Sequence, residues 1–425
     1  MQKIKYITVL FSLFIIGGNR LLAQPVYDFP YVVSQHDFIN YGLNQLSFPA
    51  DSAKMQIFYD KLDKLIFDGV GKINIVHIGG SHVQADIVSG RVRERLATFY
   101  PGNKGSRGLV FPFKVAGTNN PGNYFVTYTG KWESCKNVSY KATCELGLTG
   151  MSITTKDTTS SISLSLKKDN YPAYDFNRIR IFHRADSNQF RVNLGWLDSS
   201  KYSVKYDFEK GITDIYLTTH LSDVQIKFEK TSPGQWFYTL YGIVLENDDA
   251  GITYHSIGVN GAGTYSYLKC NLFEQHLAEI KPDLVLFGIG INDAAGSSFD
   301  ANTFELNYDK LVEKVQKANP NASIIFLTNN DSYRKVRRRY YVNYNATAVR
   351  ERMFSLAKRY NVGVWDFFTI MGGLGSMATW QKYELAKSDR VHFTGTGYKV
   401  MGDLLFNAIL RSYENHINAK YNPKK

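Results

Sequence analysis

The sequence contains little cysteine and, beyond its N-terminus, no long apolar run. Three cysteines in 425 residues are too few for a disulfide scaffold. No stretch after the first 23 residues approaches the roughly 20 apolar residues that span a bilayer, so we expect no transmembrane segment in the mature chain. No cysteine directly follows the N-terminal apolar run, which argues against a lipoprotein anchor.

The N-terminus has the pattern of a secretory signal. Residues 1–23 begin with Lys3 and Lys5, continue as an apolar run over residues 6–16 and end at Ala23. A basic start, a short apolar core and a small residue at the cut are typical of an exported chain. The apolar run is about half as long as a membrane span of roughly 20 residues, so an uncleaved anchor is the less favoured alternative. We predict cleavage before Gln24 and a periplasmic or secreted protein.

The chain is basic, with a formal net charge of +12. Such an excess favours anionic surroundings, such as cell-wall polymers or lipid head groups, through steering rather than through the fold. Nucleic acid is the alternative partner, and export argues against it. One dense basic run occupies residues 334–339 between tyrosines. We predict a solvated face at the start of a helix there, with contact to carboxylates of a cell-wall peptide as the alternative.

The three cysteines have different expected roles. Cys135 and Cys144 could bridge a short hairpin in an oxidising compartment, a link worth about 3 kcal/mol from loop entropy. Cys270 lies among apolar positions with helical spacing, which predicts a buried thiol.

Five short apolar runs alternate with segments of helical periodicity. The runs are rich in Val, Ile, Leu and Phe and are followed by polar or glycine turns, at residues 73–79, 252–257, 283–290, 322–328 and 362–367. Apolar residues have helical spacing in residues 55–67, 88–99, 304–318, 348–360 and 397–413. Continuous apolar strands separated by helices predict a parallel sheet that is covered on both faces.

Residues 119–248 have a different pattern. Apolar and polar residues alternate in strand candidates at residues 161–166, 178–183, 189–194, 214–218 and 224–228, which predicts a β-sandwich or jelly roll. We therefore expect an α/β domain, residues 24–118 and 249–425, that is interrupted by an all-β insert. Several aromatic residues of the insert could stack on sugars, although core packing is the expected role of most of them: Tyr124, Trp132, Phe190, Trp196 and Trp236.

The first candidate catalytic residue follows the strand at residues 73–79. Gly79 and Gly80 permit a tight turn, and Ser81 then emerges at the carboxyl end of a buried strand, where open α/β sheets place their sites. A serine in such a turn more often only caps the next helix. Ser81 therefore needs partners before it can be a nucleophile.

Two further strand ends carry groups that can bind developing negative charge. The strand at residues 252–257 turns through Gly258 and Gly261, and backbone N–H groups at such turns can face a ligand. Asn292 follows the strand at residues 283–290 and offers a neutral amide donor. Asp293 is expected to cap the following segment. Each turn alone is more readily an ordinary strand-to-helix connection.

The fourth element places an acid and a base together before the last helix. Asp389 and His392, three residues apart in a loop, can lie side by side, so that the carboxylate fixes the imidazole tautomer and stabilises its charged form. His392 could then accept a proton from Ser81. This spacing is the most diagnostic of the four elements.

Taken together and in this order, the four elements resemble the four conserved blocks of the SGNH hydrolase family. In that family the blocks supply a serine nucleophile, a glycine N–H, an asparagine amide and an Asp-x-x-His pair. By position they fall on Ser81, Gly261, Asn292, Asp389 and His392. The resemblance implies a flavodoxin-like three-layer α/β/α domain, a triad of serine, histidine and aspartate, and oxyanion donors from positions 81, 261 and 292. It implies no metal and no organic cofactor.

A narrower similarity concerns the bacterial peptidoglycan O-acetylesterases of this class. Export, residues 77–86 and a β domain between the first and second blocks all resemble those enzymes, in which the insert is similar to a carbohydrate-binding module. The similarity implies a serine esterase whose partner is an O-acetylated cell-wall glycan. One departure is Gly80, where the family commonly has the aspartate of Gly-Asp-Ser. That aspartate is not part of the triad, so activity need not be lost.

Other readings of the same residues remain open. The site could serve an acetyltransferase, or an esterase for another polysaccharide, and Gly80 alone favours a glycan-binding protein without activity. His77 and His82 are alternative bases, but a base must face the serine hydroxyl, and we expect packing or local hydrogen bonds for both. Asp366 is an alternative acid whose position at a strand end suits a structural hydrogen bond better.

Overall fold

The computed structural model describes residues 36–140, 143–167, 174–296 and 298–421, and the predicted signal at residues 1–23 lies outside them. The described strands are β1 (Leu46–Ser47), β2 (Lys72–Gly79), β3 (Gly108–Val110), β4 (Tyr124–Thr129), β5 (Glu133–Lys136), β6 (Met151–Thr155), β7 (Ser161–Leu166), β8 (Phe176–His183), β9 (Arg191–Leu194), β10 (Tyr202–Asp207), β11 (Ile212–Leu221), β12 (Asp223–Glu229), β13 (Tyr238–Glu246), β14 (Gly251–Gly258), β15 (Leu284–Gly288), β16 (Ser323–Leu327), β17 (Tyr333–Val336), β18 (Arg339–Val342) and β19 (Gly363–Trp365).

The described α-helices are α1 (Ala53–Asp68), α2 (Ser81–Gln84), α3 (Val88–Thr98), α4 (Thr264–Leu268), α5 (Phe273–Ile280), α6 (Ile291–Ala294), α7 (Ala301–Ala318), α8 (Asn345–Tyr360), α9 (Phe367–Ile370), α10 (Ser376–Lys382) and α11 (Gly395–Tyr421). Short 3-10 turns lie at Tyr41–Leu43 and Ser199–Lys201. None of the described helices combines the length and the apolarity that crossing a bilayer requires.

The central sheet has the strand order β1-β19-β16-β15-β2-β14. Its last five strands are parallel to one another, and the two-residue edge strand β1 pairs antiparallel with β19. The strands β15 and β16 are buried along both faces, because their apolar runs pack under helices on either side. One helical group contains α1, α3 and α11, and the other contains α4, α5, α7 and α8. The predicted parallel sheet between helices is confirmed.

The antiparallel region contains two sheets. One has the order β10-β11-β8-β13-β6-β5, with β3 also paired to β13, and the other has the order β4-β7-β12-β9. Alternate residues of β12 are buried, so Val224, Ile226 and Phe228 enter the shared core. This is the sandwich-like arrangement that period-two patterning predicts. The strand β3 lies before residue 119, so this sheet also draws on the chain ahead of the predicted insert.

Two buried histidines lie where the antiparallel region meets the parallel-sheet domain. The Leu148 N–H donates to His276 Nδ1 at 3.4 Å, and the ring of His276 stacks on Phe182. The Leu109 N–H donates to His255 Nδ1 at 3.1 Å. Burial lowers the pKa of each histidine to about 3. Both imidazoles are therefore neutral acceptors that join the two regions.

The structure corrects the prediction for the basic run and shows the bonding state of the three cysteines. The basic run at residues 334–339 does not begin a helix, because β17 and β18 form a two-stranded hairpin there and α8 starts only at Asn345. Cys135 and Cys144 are joined in a disulfide. Cys270 is a buried free thiol, as predicted.

Candidate active site

Ser81 is the first residue of α2, directly after strand β2, which lies between β15 and β14, and the connecting Gly80. The helix lies so close to the neighbouring strand ends that side chains are excluded there. A Cβ at Gly79 would lie 2.3 Å from Val83 Cγ2, and a Cβ at Gly258 would lie 2.2 Å from the Gln84 nitrogen. The glycines at these two strand ends therefore allow the helix that carries Ser81 to sit on the carboxyl edge of the sheet.

Ser81, His392 and Asp389 form a continuous hydrogen-bonded chain. Ser81 Oγ lies 2.9 Å from His392 Nε2, and His392 Nδ1 lies 2.9 Å from Asp389 Oδ2. A carboxylate can only accept, so Nδ1 carries the proton and Nε2 is left as an acceptor for the serine hydroxyl. The three side chains are only partly buried. This is the geometry that a nucleophile, a general base and an orienting acid require.

The Asp389 carboxylate is held in its charged form by its own loop. Its Oδ1 accepts hydrogen bonds from the N–H groups of Val391 and His392, at 2.9 and 3.0 Å. Partial burial acts to raise the pKa of Asp389, but these two N–H groups and the imidazole outweigh it and hold the pKa below its ordinary value. A fixed negative charge beside His392 favours the imidazolium that forms when a proton is accepted.

The three predicted oxyanion donors follow strands β2, β14 and β15, which lie side by side in the sheet. Asn292, in the short helix α6, donates one amide hydrogen to the Ala262 carbonyl at 2.9 Å, which fixes the amide and leaves its second hydrogen available. The N–H of Ser81 begins a helix and has no partner within it. Gly261 has a φ of +81° and is exposed. The arrangement brings the predicted donors to one edge of the sheet.

Gly80 allows Asn292 to approach the nucleophile turn. A Cβ at position 80 would lie 3.0 Å from Asn292 Nδ2 and 3.3 Å from the Ala262 carbonyl oxygen. Both distances are tighter than ordinary van der Waals contact, so an aspartate at position 80 would require Asn292 to shift. The departure from Gly-Asp-Ser is thus matched to the position of the amide and is not by itself a sign of a lost site.

Asp293 caps a helix other than the predicted one. Its carboxylate accepts from the Thr264 N–H at 3.1 Å and from the Thr264 hydroxyl at 2.6 Å, at the start of α4. A Cβ at Gly263 would lie 2.8 Å from the same carboxylate, so this glycine allows the close approach. Asp293 therefore ties the loop of Gly261 to the loop of Asn292.

A second hydrogen-bonded chain joins the nucleophile helix to the loop of the acid and base. Tyr398 Oη lies 2.8 Å from His82 Nδ1, and His82 Nε2 lies 2.9 Å from Asn330 Oδ1. The Asn330 amide then donates to the Val391 carbonyl at 3.1 Å. Burial, followed by the nearby imidazole of His392, lowers the pKa of His82 to about 4. His82 is thus a neutral bridging group, as expected, and not the base.

Asn330 and Tyr398 were not candidates from the sequence. They meet His82 across 248 and 316 residues of chain, and no local pattern marks such a contact. The expected structural roles of two other residues agree with the geometry. His77 contacts Tyr254 Oη at 2.8 Å inside the sheet, and Asp366 forms an ion pair with Arg350 at 2.6 Å.

Asp86, shortly after the nucleophile, organises a buried polar cluster beneath it. Its carboxylate binds the Arg93 and Arg107 guanidinium groups at 2.9 and 2.7 Å and accepts from the Ser256 hydroxyl at 2.7 Å. Burial alone would raise the pKa of Asp86, but the two arginines hold it well below its ordinary value. This cluster fixes α3, β14 and the chain that leads into β3.

Two loops of the antiparallel region reach the site. Gln84, within α2, donates to the Thr118 hydroxyl and the Asn119 carbonyl at 3.1 Å, and its Oε1 accepts from the Asn260 N–H at 2.7 Å. The loop that follows Cys135 approaches Gly261, since a Cβ at that glycine would lie 4.0 Å from Val138 Cγ1. The insert therefore lies beside Gly261, the third of the predicted oxyanion donors.

Of the aromatic residues proposed to stack on sugars, most have a structural role. Tyr124 and Phe190 are buried in the core, and Trp132 packs edge-on against Phe228. Trp196 and Trp236 are exposed, at 53% and 56%. These two indoles remain available for sugar contacts.

One group of described residues brings possible metal ligands together, away from the triad. Asp60, Asp63 and His416 place ligand atoms within 4.8 Å of one another. The Lys420 ammonium already lies 2.7 Å from Asp63 Oδ2, and the Tyr413 hydroxyl donates to Oδ1 at 2.7 Å. The lysine supplies the positive charge that this carboxylate needs, so the group is explained without a metal.

Known family models and solved structures include matches to this chain. The chain matches the model of the GDSL-like Lipase/Acylhydrolase family over residues 227–400. Among solved structures it is similar to a peptidoglycan O-acetylesterase, at 22% identity and a TM-score of 0.71, over 87% of this chain and 99% of that chain. It is also similar to an acetylxylan esterase from Geobacillus stearothermophilus, at 23% identity and a TM-score of 0.29, over 39% of this chain and 73% of that chain. No curated protein matches the chain.

The fold and the arrangement of the candidate site are those that the SGNH resemblance predicts. The family match includes Gly261, Asn292, Asp389 and His392, whereas Ser81 lies before it, on the far side of the antiparallel region. Residues 227–400 therefore resemble the GDSL-like Lipase/Acylhydrolase family, and the fold of the chain is that of the peptidoglycan enzyme. The similarity to the peptidoglycan enzyme, at this identity, concerns the fold.

Proposed function

We propose that the protein is an exported serine esterase that removes O-acetyl groups from a cell-wall glycan, most specifically peptidoglycan. The observation that carries the proposal is the continuous chain from Ser81 Oγ through His392 to Asp389, with 2.9 Å at each link. The secretory pattern of residues 1–23 supports an extracytoplasmic substrate. The shared fold with a peptidoglycan O-acetylesterase, insert included, supports the choice of glycan.

Acylation uses the two ends of the His392 ring. Ser81 Oγ attacks the acetyl carbonyl while His392 Nε2 takes the hydroxyl proton, and Asp389 stabilises the resulting imidazolium. The negative oxygen of the tetrahedral intermediate is bound by the N–H groups of Ser81 and Gly261 and by the Asn292 amide. When the intermediate collapses, the imidazolium gives its proton to the sugar oxygen, and the acetyl group stays on Ser81.

Deacylation repeats these roles with water. His392 removes a proton from a water molecule that attacks the acetyl-serine carbonyl, and the same donors hold the second oxyanion. Ser81 then leaves with the proton from His392, and acetate is released. Apart from the attacking water, each step uses only side chains and backbone groups of the candidate site.

The direct test is acetate release from polymeric substrates. We expect the purified protein to release acetate from O-acetylated peptidoglycan at least about ten-fold faster than from acetylated xylan, at equal ester concentration. In the Ser81→Ala variant the rate should fall by about 10⁴–10⁶, as in other serine hydrolases that lose the nucleophile. Acetate is measured by a coupled enzymatic assay.

The controls separate the site from the substrate. Ser199→Ala, an exposed serine in the antiparallel region, should retain the parental rate. A fluorophosphonate probe should label the parent and not Ser81→Ala, which distinguishes an active site from a decayed one. If Ser81→Ala cleaves an aryl acetate as fast as the parent, the nucleophile is another residue. If acetate is transferred to added sugar instead of being released, the protein is a transferase.

A further inference from the structure

A strongly basic hairpin stands beside the triad. The strands β17 and β18 pair from Tyr333 opposite Val342 to Val336 opposite Arg339, and we call residues 333–342 the basic hairpin. Five of its ten residues are Arg or Lys and none is acidic. Residues 335–341 are all exposed. The cations of this segment are Arg334, Lys335, Arg337, Arg338 and Arg339.

The charge of the basic hairpin is not neutralised by the protein. None of its five cations forms an ion pair with a carboxylate within the part of the chain that the structure describes, in contrast to Arg350 on the following helix, which binds Asp366. Adjacent like charges repel each other, and a two-stranded hairpin has little stability of its own. The concentration of arginines therefore does not serve the fold.

The base of the basic hairpin is attached to both loops of the candidate site. The Tyr333 N–H donates to the Arg390 carbonyl at 3.0 Å, in the loop of the acid and base. The Asn343 amide donates to the Ala294 carbonyl at 3.0 Å, at the end of the helix that carries Asn292. The Arg390 guanidinium lies over the Tyr333 ring, 4.9 Å from its centre. The hairpin is thus anchored to the loop of Asp389 and His392 and to the helix that carries Asn292.

The guanidinium and tyrosine side chains of the basic hairpin suit an extended substrate that carries carboxylates. A four-residue strand reaches about 13 Å from its base, which is the scale of a few residues of glycan or peptide. Guanidinium groups bind carboxylates with two parallel hydrogen bonds. Tyr340 and Tyr341, at 36% and 49% exposure, add flat faces that suit sugar or peptide groups.

We propose that the basic hairpin is a substrate subsite that binds the carboxylate groups of the peptides attached to an acetylated glycan. This inference rests on the proposed function and narrows it: the preferred substrate is glycan that still carries its acidic peptides. Anionic lipid is the other surface that would attract such a charge. The attachment of the hairpin to the two catalytic loops favours the substrate, because a membrane contact would need no such connection.

The test removes the charge at the tip of the hairpin. Arg337→Gln, Arg338→Gln and Arg339→Gln are combined, and acetate release is measured on O-acetylated peptidoglycan with its peptides, on the same glycan after an amidase has removed the peptides, and on an aryl acetate. We expect KM on the intact polymer to rise about ten-fold, as loss of three exposed charge pairs implies. The stripped glycan and the aryl acetate should change less than two-fold. Added salt should weaken the parent on intact polymer and hardly affect the variant.

A matched control removes the same charge elsewhere. Lys64→Gln, Lys310→Gln and Lys317→Gln lie on exposed positions of α1 and α7, and their combination should leave all three substrates unchanged. Equal losses in both triple variants would overturn the subsite, because only net charge would then matter. So would an equal loss on stripped and intact glycan.

Binding without turnover separates this inference from the proposed function. In a Ser81→Ala background, the hairpin variant should pellet less with intact peptidoglycan than its parent does, and equally with stripped glycan. A different outcome would overturn the subsite in favour of a membrane contact: the parent binds phosphatidylglycerol vesicles, the triple variant does not, and the two proteins bind both glycans equally.

Turnover separates the two proposals as well. If the parent cleaves the aryl acetate but neither intact nor stripped glycan, the proposed glycan function itself fails. If the parent cleaves both polymers and the hairpin variant matches it on each, only the subsite fails.

Discussion

Parallel strands collect their carboxyl ends at one edge of a sheet, whereas the strands of the antiparallel region end alternately at opposite edges. The strands β2, β14 and β15 lie side by side, so Ser81, Gly261 and Asn292 meet although they are far apart in sequence. In the antiparallel region, buried polar groups instead satisfy one another locally. His183, for example, contacts Thr213 and Gln189. The comparison shows that topology, rather than the number of polar residues, decides where reactive groups converge.

Among side chains that follow strands of the parallel sheet, Asn292 should have a strong effect on turnover when it is replaced. Asn292→Ala removes one oxyanion donor and should lower kcat by about 10²–10³, with little change in KM. The same change in the antiparallel region, Asn193→Ala in β9, should leave kcat within about two-fold. Steady-state kinetics on an aryl acetate measure both. An equal loss of kcat in the two variants would contradict a special role for the carboxyl edge of the parallel sheet.

A smaller effect is expected for the chain that links His82 to the catalytic loop. Asn330→Ala should lower kcat about ten-fold with KM unchanged, because the Val391 carbonyl loses its donor and the loop of His392 becomes less fixed. Asn44→Ala is the matched control, since Asn44 is also a buried amide with two hydrogen bonds, to Leu404 and Trp365. Both variants should lose stability in urea, but only Asn330→Ala should lose kcat. If the folded Asn330→Ala protein keeps the parental kcat, Asn330 does not help to position the loop of His392.

The contact between the two regions should depend on pH. The pKa of His276 in the folded protein is about 3, below the reference value of 6.5, so the unfolded chain takes up the proton first as the pH falls. Stability from this group is complete above pH 6.5 and is lost progressively between pH 6.5 and 3, by about 1.4 kcal/mol per pH unit. In His276→Gln, urea unfolding between pH 4 and 5.5 should show a pH slope of the unfolding free energy that is smaller by about that amount. An unchanged slope would mean that the folded protein accepts the proton as readily as the unfolded chain does.

The sequence predicted the parallel sheet well because its strands are continuous apolar runs that end in glycine turns. Few other structures produce this pattern. It missed β1, whose two residues are too short to show a period. It also misassigned the basic hairpin. That hairpin buries no apolar face, so neither the helical nor the strand period is imposed on residues such as Arg337 and Tyr341.

Within the site, motif order indicated Ser81, His392 and Asp389, and the geometry brings them together. Sequence could not indicate Asn330, Tyr398 or the contact of Gln84 with Asn119, because these pairs are made by tertiary packing between distant segments. Asp293 was assigned a cap for the right physical reason but for the wrong helix. A carboxylate that follows one strand can serve the helix after a neighbouring strand, and only the strand order reveals which.

The position of β2 has a consequence for how the chain matures. Both of its neighbours, β14 and β15, are synthesised long after it, since Ile73 pairs with Ile252 and Ile75 with Leu284. The segment that carries Ser81 therefore has no sheet partners until the whole intervening region has been synthesised. Closing this long loop has an entropic cost and is slow. The candidate site is therefore assembled late in folding, because Ser81 can reach His392 only after the strands on both sides of β2 are in place.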